Sequence, residues 1–218
     1  MALPQFYETR IIKAEKLNES TIFLRLKAES PLNFKAGQFI LTYLNVGEKE
    51  ENRAFSIASP PSNNIIELLI RKYDQGKISP ILFNLKEQDI LKIRGPFGIF
   101  TVKTPLPEEV VFIASGTGIA PLRSMIHEIL ENNPETKVTL IFGFRHESDF
   151  FFKEELQGLM KKYKNFTLHI SATQPTENWP YLTGRVTKII PELLDENKNK
   201  HFYICGPNQM INDTLNLL

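Results

Sequence analysis

Arg53-Ala54-Phe55-Ser56, followed by Gly76-Lys77-Ile78-Ser79, brings together residue types suited to a flat, anionic ligand. The Arg53 guanidinium is a planar fork that matches two phosphate oxygens, although a surface arginine beside Glu50 and Glu51 would look the same. Phe55 can offer a flat face to an aromatic ring or simply fill a core, and the Ser56 hydroxyl both donates and accepts hydrogen bonds. Gly76 to Ser79 reads as a turn entering a helix start. Its amides and hydroxyl suit a second phosphate, or Ser79 serves only as the helix cap with Pro80 behind it. Further on, Gly116-Thr117-Gly118 stands between an apolar run and a helical pattern, with Pro121 where a first helical turn tolerates proline. Glycines there let a backbone approach a pyrophosphate at a helix N-terminus, or they make a tight turn. The spacing is not the GxGxxG fingerprint. Cys205, just before Gly206-Pro207, is either a small core residue or a thiol at a crevice-facing strand end.

Other chemistries find little support. His127, His146, His169 and His201 show neither metal spacing nor acid partners, and no Gly-x-Ser-x-Gly or His-Glu-x-x-His occurs. No metal site is expected. A net charge of +1 argues against a nucleic-acid binder. No run approaches the roughly 20 apolar residues of a membrane helix, and the N-terminus lacks the order of a signal peptide. The single cysteine leaves no internal disulfide and no thiolate-held cluster, so a reducing cytoplasm is the expected compartment.

The elements that must position these residues fall into two styles. The first hundred residues read as short strands, at 7–16, 21–27, 38–44, 54–58, 65–72, 89–94 and 99–102, with one short helix at 79–85. That pattern predicts an antiparallel barrel or sandwich. After the stiff connector Thr104-Pro105-Leu106-Pro107, strands at 110–114, 137–144, 166–171 and 201–204 alternate with helices at 122–131, 149–162, 186–194 and 208–217. This predicts a doubly wound parallel sheet whose binding crevice lies at the carboxyl ends of the strands. With 218 residues, two domains are comfortable, and the boundary is placed between 1–103 and 104–218.

These motifs, in this order from Phe34-Lys35-Ala36-Gly37-Gln38-Phe39 to Cys205-Gly206-Pro207, resemble the ferredoxin–NADP reductase superfamily. The resemblance implies a flavin-binding antiparallel β-barrel followed by an α/β domain for NADH or NADPH. It implies that FAD, rather than FMN, receives a hydride from the nicotinamide and passes electrons to a separate acceptor: a ferredoxin, a cytochrome, an oxygenase component or a small molecule. Carried over position by position, Arg53 holds the flavin phosphate, Phe55 stacks on the flavin ring, and Ser56 bonds near its N5. Ile70 and Arg71 border the cofactor, and Gly76, Lys77, Ile78 and Ser79 form the pyrophosphate loop. Gly116, Thr117 and Gly118 match the nicotinamide-dinucleotide loop, and Cys205 stands beside the hydride-transfer site with Gly206 and Pro207. Gly95-Pro96-Phe97-Gly98 matches an inter-strand turn. The chain departs from the family pattern in three places: Phe55 replaces the commoner tyrosine, the chain stops at Leu218 before a further strand, and 171–173 lacks the Ser-Arg of NADP-preferring members. The last departure leans toward NADH, with Arg145 as a substitute phosphate ligand. Two other readings stand beside this one: a reductase that uses free flavin as substrate, and a non-catalytic interaction protein that retains the fold.

Overall fold

Ile22, Leu24 and Leu26 point one way from their strand and are lost from solvent, as their alternation with Arg25 and Lys27 requires. They line the first of two units in a computed structural model that describes residues 3–61, 64–193 and 199–218. The first unit comprises Met1–Val102 with Arg123–Met125, and the second Lys103–Leu122 with Ile126–Leu218.

The first unit contains six antiparallel strands: β1 (Gln5–Lys16), β2 (Thr21–Ala28), β3 (Phe39–Val46), β4 (Lys49–Ser56), β5 (Ile65–Arg71) and β6 (Ile90–Phe97). Their order is β4-β3-β6-β1-β2-β5. A bridge between Ile57 and Leu68 returns the chain after β4 to β5, at the other end of that order, and so closes the sheet into a barrel. Ala58 N–H donates to Glu67 O at 2.8 Å in the same stretch. Ile11, Ile40, Ile57, Ile66, Leu68, Ile70, Leu91 and Ile93 fill the interior, and Ile78 and Leu82 of the loop and short helix α1 (Ser79–Leu82) complete it.

Three local expectations are corrected here. Residues 99–102 form no strand: Gly98 has φ +99°, the Thr101 amide folds back onto Ile99 O at 2.9 Å, and Ile99 is 91% exposed. Gly95-Pro96-Phe97 is the end of β6 rather than a turn between strands, because Phe39 pairs with Phe97 across the sheet. Ser79 is not the cap of α1. The cap position is Ile78, and the Ser79 hydroxyl instead accepts the Tyr73 amide at 3.0 Å.

In the second unit β7 (Glu109–Ser115), β8 (Lys137–Phe144), β9 (Phe166–Ala172), β10 (Leu182–Thr183) and β11 (Lys200–Cys205) form a parallel sheet of order β10-β9-β8-β7-β11. Central β7 is apolar throughout Val110–Ala114 because both its faces are covered. Val111, Ile113 and Ile141 pack against Val186, Ile189 and Ile190 of α4 (Val186–Leu193); by strand alternation Phe112 and Ala114 serve the opposite face. The other helices are α2 (Ile119–Asn132), α3 (Lys153–Lys162) and α5 (Asn208–Leu215).

The α3 helix starts later than its pattern suggested. Phe150 and Phe151 turn into the interior, and Phe152 takes a left-handed φ of 60° that separates α3 from the short turn Glu147–Asp149. The two-residue strand β10 carried too little pattern to be anticipated, and Leu194, expected at the end of α4, lies outside the described residues. No helix among the described residues is long and apolar enough to cross a membrane.

Candidate functional site

On β4 the sheet register sets what Arg53-Ala54-Phe55-Ser56 can present. Arg53 pairs with Thr42 and Phe55 with Ile40, a fully buried residue, so Arg53 and Phe55 share one face of the strand. Phe55 is half-buried against the barrel core, whereas the Arg53 guanidinium is exposed and meets no carboxylate or carbonyl among the described residues. Ala54 and Ser56 belong to the other face. Ser56 is the last residue of β4 and sits opposite Phe39, whose ring stacks on Phe97 at 5.6 Å. Adjacent strand residues cannot point the same way, so Phe55 and Ser56 reach any common ligand from different sides of the strand end.

The loop after β5 divides in the same manner. Ile70 and Ile78 are core residues, with 0% and 2% exposure, so only their backbones are available to a ligand. Arg71 is exposed and without a partner among the described residues. The Gly76 amide is spent on Tyr73 O at 2.8 Å, which leaves those of Lys77, Ile78 and Ser79 as the loop's unspent donors among the described residues. Lys77 Nζ lies 3.1 Å from Glu51 Oε1, two residues from Arg53 and on its face of β4. The first unit therefore gathers two cationic forks, a half-buried aromatic face and unspent amides. That donor set fits a ligand with phosphates and a flat ring.

In the second unit, a cleft of about 550 Å³ opens at the carboxyl ends of β7, β8, β9 and β11. Its walls include Ser115, Gly143 and Phe144 from the first two strands, Arg145 just past β8, Thr173 and Gln174 after β9, Gly184 to Thr187 at the entry to α4, and Pro207, Gln209, Met210 and Asp213 at α5. Of the residues singled out from sequence, Arg145 and Pro207 are in these walls. Arg185, Gln174, Gln209 and Asp213 were missed, because each sits in a loop or helix start with no motif of its own. The signal that could have found them is topological: they follow the ends of strands that the alternation had already located. Arg145 Nε donates to Gln174 Oε1 at 3.0 Å, and Gln209 Nε2 to Asp213 Oδ1 at 2.7 Å. Ser171 is fully buried and spends its hydroxyl on Gly184 O at 2.7 Å, so it serves the fold.

The Gly116-Thr117-Gly118 loop forms a single 3-10 turn that leads directly into α2. Gly116 takes a left-handed φ of +54°, which favours glycine. Gly118 is required for a different reason: a Cβ there would strike the backbone carbonyl of Cys205, the last residue of β11. Its missing side chain is used to pack two strand exits together. Cys205 is partly exposed, and burial pushes its thiol up to about 11, so the sulfur is a protonated thiol at neutral pH.

Residues 8–102 match the model of the oxidoreductase FAD-binding domain family, and residues 112–216 that of the oxidoreductase NAD-binding domain family. The phenol hydroxylase P5 protein of Acinetobacter pittii is 32% identical over 99% of this chain and 62% of its own length. The ferredoxin–NADP reductase B of Sorangium cellulosum is 31% identical over 82% of this chain and 76% of its own. The crystal structure of an Amycolatopsis cytochrome P450 reductase superposes with a TM-score of 0.88 at 22% identity, over 98% of this chain and 65% of that one. The chain thus spans about three-fifths of the phenol hydroxylase protein.

Proposed function

The chain belongs to the ferredoxin–NADP reductase superfamily, and from that premise we propose that it is a flavin-dependent reductase, with residues 1–103 binding FAD and 104–218 binding NAD(P)H. The observation that carries the reading is the cleft at the carboxyl edge of the parallel sheet. There an arginine pair faces a volume suited to part of a dinucleotide, in a chain whose other unit has its own phosphate-and-ring donor set. When bound, the nicotinamide would supply hydride chemistry and the flavin the capacity to accept two electrons and return them singly to a separate acceptor.

The protein's part is to hold and to orient. Arg53 and the amides of Lys77, Ile78 and Ser79 would grip the flavin phosphates, with Arg71 nearby on β5. Phe55 would support the ring from the barrel side, and Ser56 would bond to its edge from the strand end. For the nicotinamide nucleotide, Arg145 and Arg185 supply cationic forks, the Gly116–Gly118 turn presents the start of α2, and Pro207, joined through Gly206 to Cys205, closes the wall. With its high pKa, the Cys205 thiol would act as a compact, uncharged neighbour of the reacting ring. Although Ser171 is committed to Gly184, two arginines remain in the cleft wall, so both NADH and NADPH are candidate donors.

The relatives' names include a dioxygenase electron transfer component and a ferredoxin–NADP reductase, and a separate protein acceptor, a ferredoxin, a cytochrome or an oxygenase component, is the reading we favour. The test is an absorption spectrum of the purified protein, followed by initial rates of NADH and NADPH oxidation with ferricyanide and with ferredoxin- or cytochrome-type acceptors. A yellow protein that releases FAD on denaturation and turns over supports the proposal. A colourless protein active only with added flavin means that flavin is a substrate. Bound flavin with no turnover for either donor means that the fold serves a non-catalytic role.

A further inference from the structure

The sheet of the second unit does not stop at the last residues of β8 and β9. Past the strand ends, Thr173 N–H donates to Phe144 O at 3.0 Å and Gln174 N–H to Arg145 O at 2.8 Å. A third rung follows in which a side chain replaces the backbone: the Thr176 amide donates to Glu147 Oε1 at 3.0 Å, and the Thr176 hydroxyl donates to the same oxygen. The side chains of the rung before it are joined as well, Arg145 Nε to Gln174 Oε1. The segment 175–181 therefore leaves the sheet as an arm that rejoins it at β10, with Thr173 and Gln174 before it and Gly184 and Arg185 after it lining the cleft, while its middle is tied back.

The tie has an aromatic half. Trp179 packs its edge on Phe144, itself a cleft residue, at 5.9 Å, and on Tyr181 at 4.9 Å. Tyr181 lies on Phe150 at 6.1 Å and accepts Gln157 Nε2 from α3 at 2.7 Å. Hydrogen bonds from Thr176 hold the exposed Glu147 carboxyl below its ordinary value, as expected of a carboxylate in use as an acceptor.

We infer that the Glu147–Thr176 clasp is a positioning device for the dinucleotide: it sets the arm so that Gln174 aligns the Arg145 guanidinium toward a phosphate of the adenine nucleotide. This rests on the reading of the cleft as a dinucleotide site. It makes a prediction opposite in sign to simple electrostatics. Removing a carboxylate two residues from a phosphate-binding arginine should tighten anion binding if charge alone mattered, whereas loss of the clasp weakens it.

The experiment uses the purified chain with whatever cofactor it carries, and ADP as the probe. Calorimetry measures ADP affinity for the unaltered protein, Glu147→Ala, Glu147→Gln, Thr176→Val and Thr176→Ser. We expect about tenfold weaker binding for Glu147→Ala, a smaller loss for Thr176→Val, which keeps the amide bond, and near-native binding for the two variants that keep an acceptor or a hydroxyl. The chain has one tryptophan, so emission from Trp179 reports the arm directly, and release of the clasp should red-shift it in ligand-free Glu147→Ala. With ferricyanide as acceptor, the dinucleotide KM should rise with kcat unchanged. If the unaltered protein does not bind ADP, the reading of the cleft fails and this inference with it. If it binds ADP and Glu147→Ala binds as tightly or more tightly, or leaves the Trp179 emission unmoved, the cleft reading stands and the clasp is refuted.

Discussion

The two units offer phosphate-seeking groups in contrasting ways. In the barrel they are single side chains on strands, Arg53 within β4 and Arg71 at the end of β5, whose sequence neighbours Ala54 and Ile70 belong to the other face of the same strand. In the parallel sheet they come from loops beyond the strands and are linked to one another, as Arg145 is to Gln174. A strand fixes the direction of every side chain and permits only alternate residues to serve a ligand. A loop leaving a parallel strand can turn several consecutive residues the same way, but it needs its own ties to hold them.

Buried charge differs too. In the first unit the Glu67 carboxylate, 5% exposed, is bracketed by Arg25 Nη2 and Arg123 Nη1, each at 2.6 Å, and Arg123 also donates to Ala58 O at 2.6 Å. In the second, Lys200 and Glu109 form one pair at 2.8 Å, with Thr139 bonding the same carboxylate. The largest expected effect follows from the first. Replacing Glu67 by glutamine should cost about 3–5 kcal/mol in urea unfolding, because the Arg25 and Arg123 guanidiniums lose the buried carboxylate between them. The contrast between the units would dissolve if the loss were no greater than that of an exposed pair such as Lys13–Glu15.

Next in size is Arg53→Ala, which should weaken flavin retention on desalting by about tenfold or more while the dinucleotide KM stays put. Retention equal to the parent would remove Arg53 from the cradle. Its counterpart, Arg145→Ala, should raise the dinucleotide KM by about tenfold with flavin content unchanged, and a loss of flavin instead would mean that the two donor sets are not separate.

How much of this could be read from the residues follows the same divide. The barrel strands announced themselves through alternation at Ile22, Leu24 and Leu26, and β7 and β8 through unbroken apolar runs. Residues 99–102 have strand-like composition as well, yet among the described residues no strand pairs with them, and pairing is a non-local fact. Ile78 looked like part of a ligand loop because the loop's motif includes it; that its side chain completes the barrel core depends on strands far away in sequence. Arg185 and Gln174 had no pattern to betray them, since the cleft they share exists only once β8, β9 and α5 are side by side.

Two smaller effects sharpen the contrast through pH. Burial pushes the Cys205 thiol from its ordinary 9.0 up to about 11 in the folded chain, so stability conferred by the neutral thiol is full below pH 9 and drains away as pH rises toward 11. Alkylation by iodoacetamide at pH 8 should accordingly be slow, and a rate matching that of a free thiol would show that the sulfur is not shielded. His169, half-buried on β9, has its pKa lowered by desolvation, so its contribution is present above about 6.5 and is lost as the medium is acidified. His169→Gln should flatten the fall of Tm with acid by a small amount, and an unchanged slope would assign that fall to other groups.

The backbone contact between Gly118 and Cys205 imposes an order of assembly. The turn that leaves the first strand of the second unit rests on the exit of its last one, so it cannot take its final setting until residue 205 has been made and docked. During synthesis the start of α2 waits through the 87 residues from Gly118 to Cys205 for its neighbour. A chain cut before β11 would keep the sequence of the glycine turn but lose the surface that shapes it.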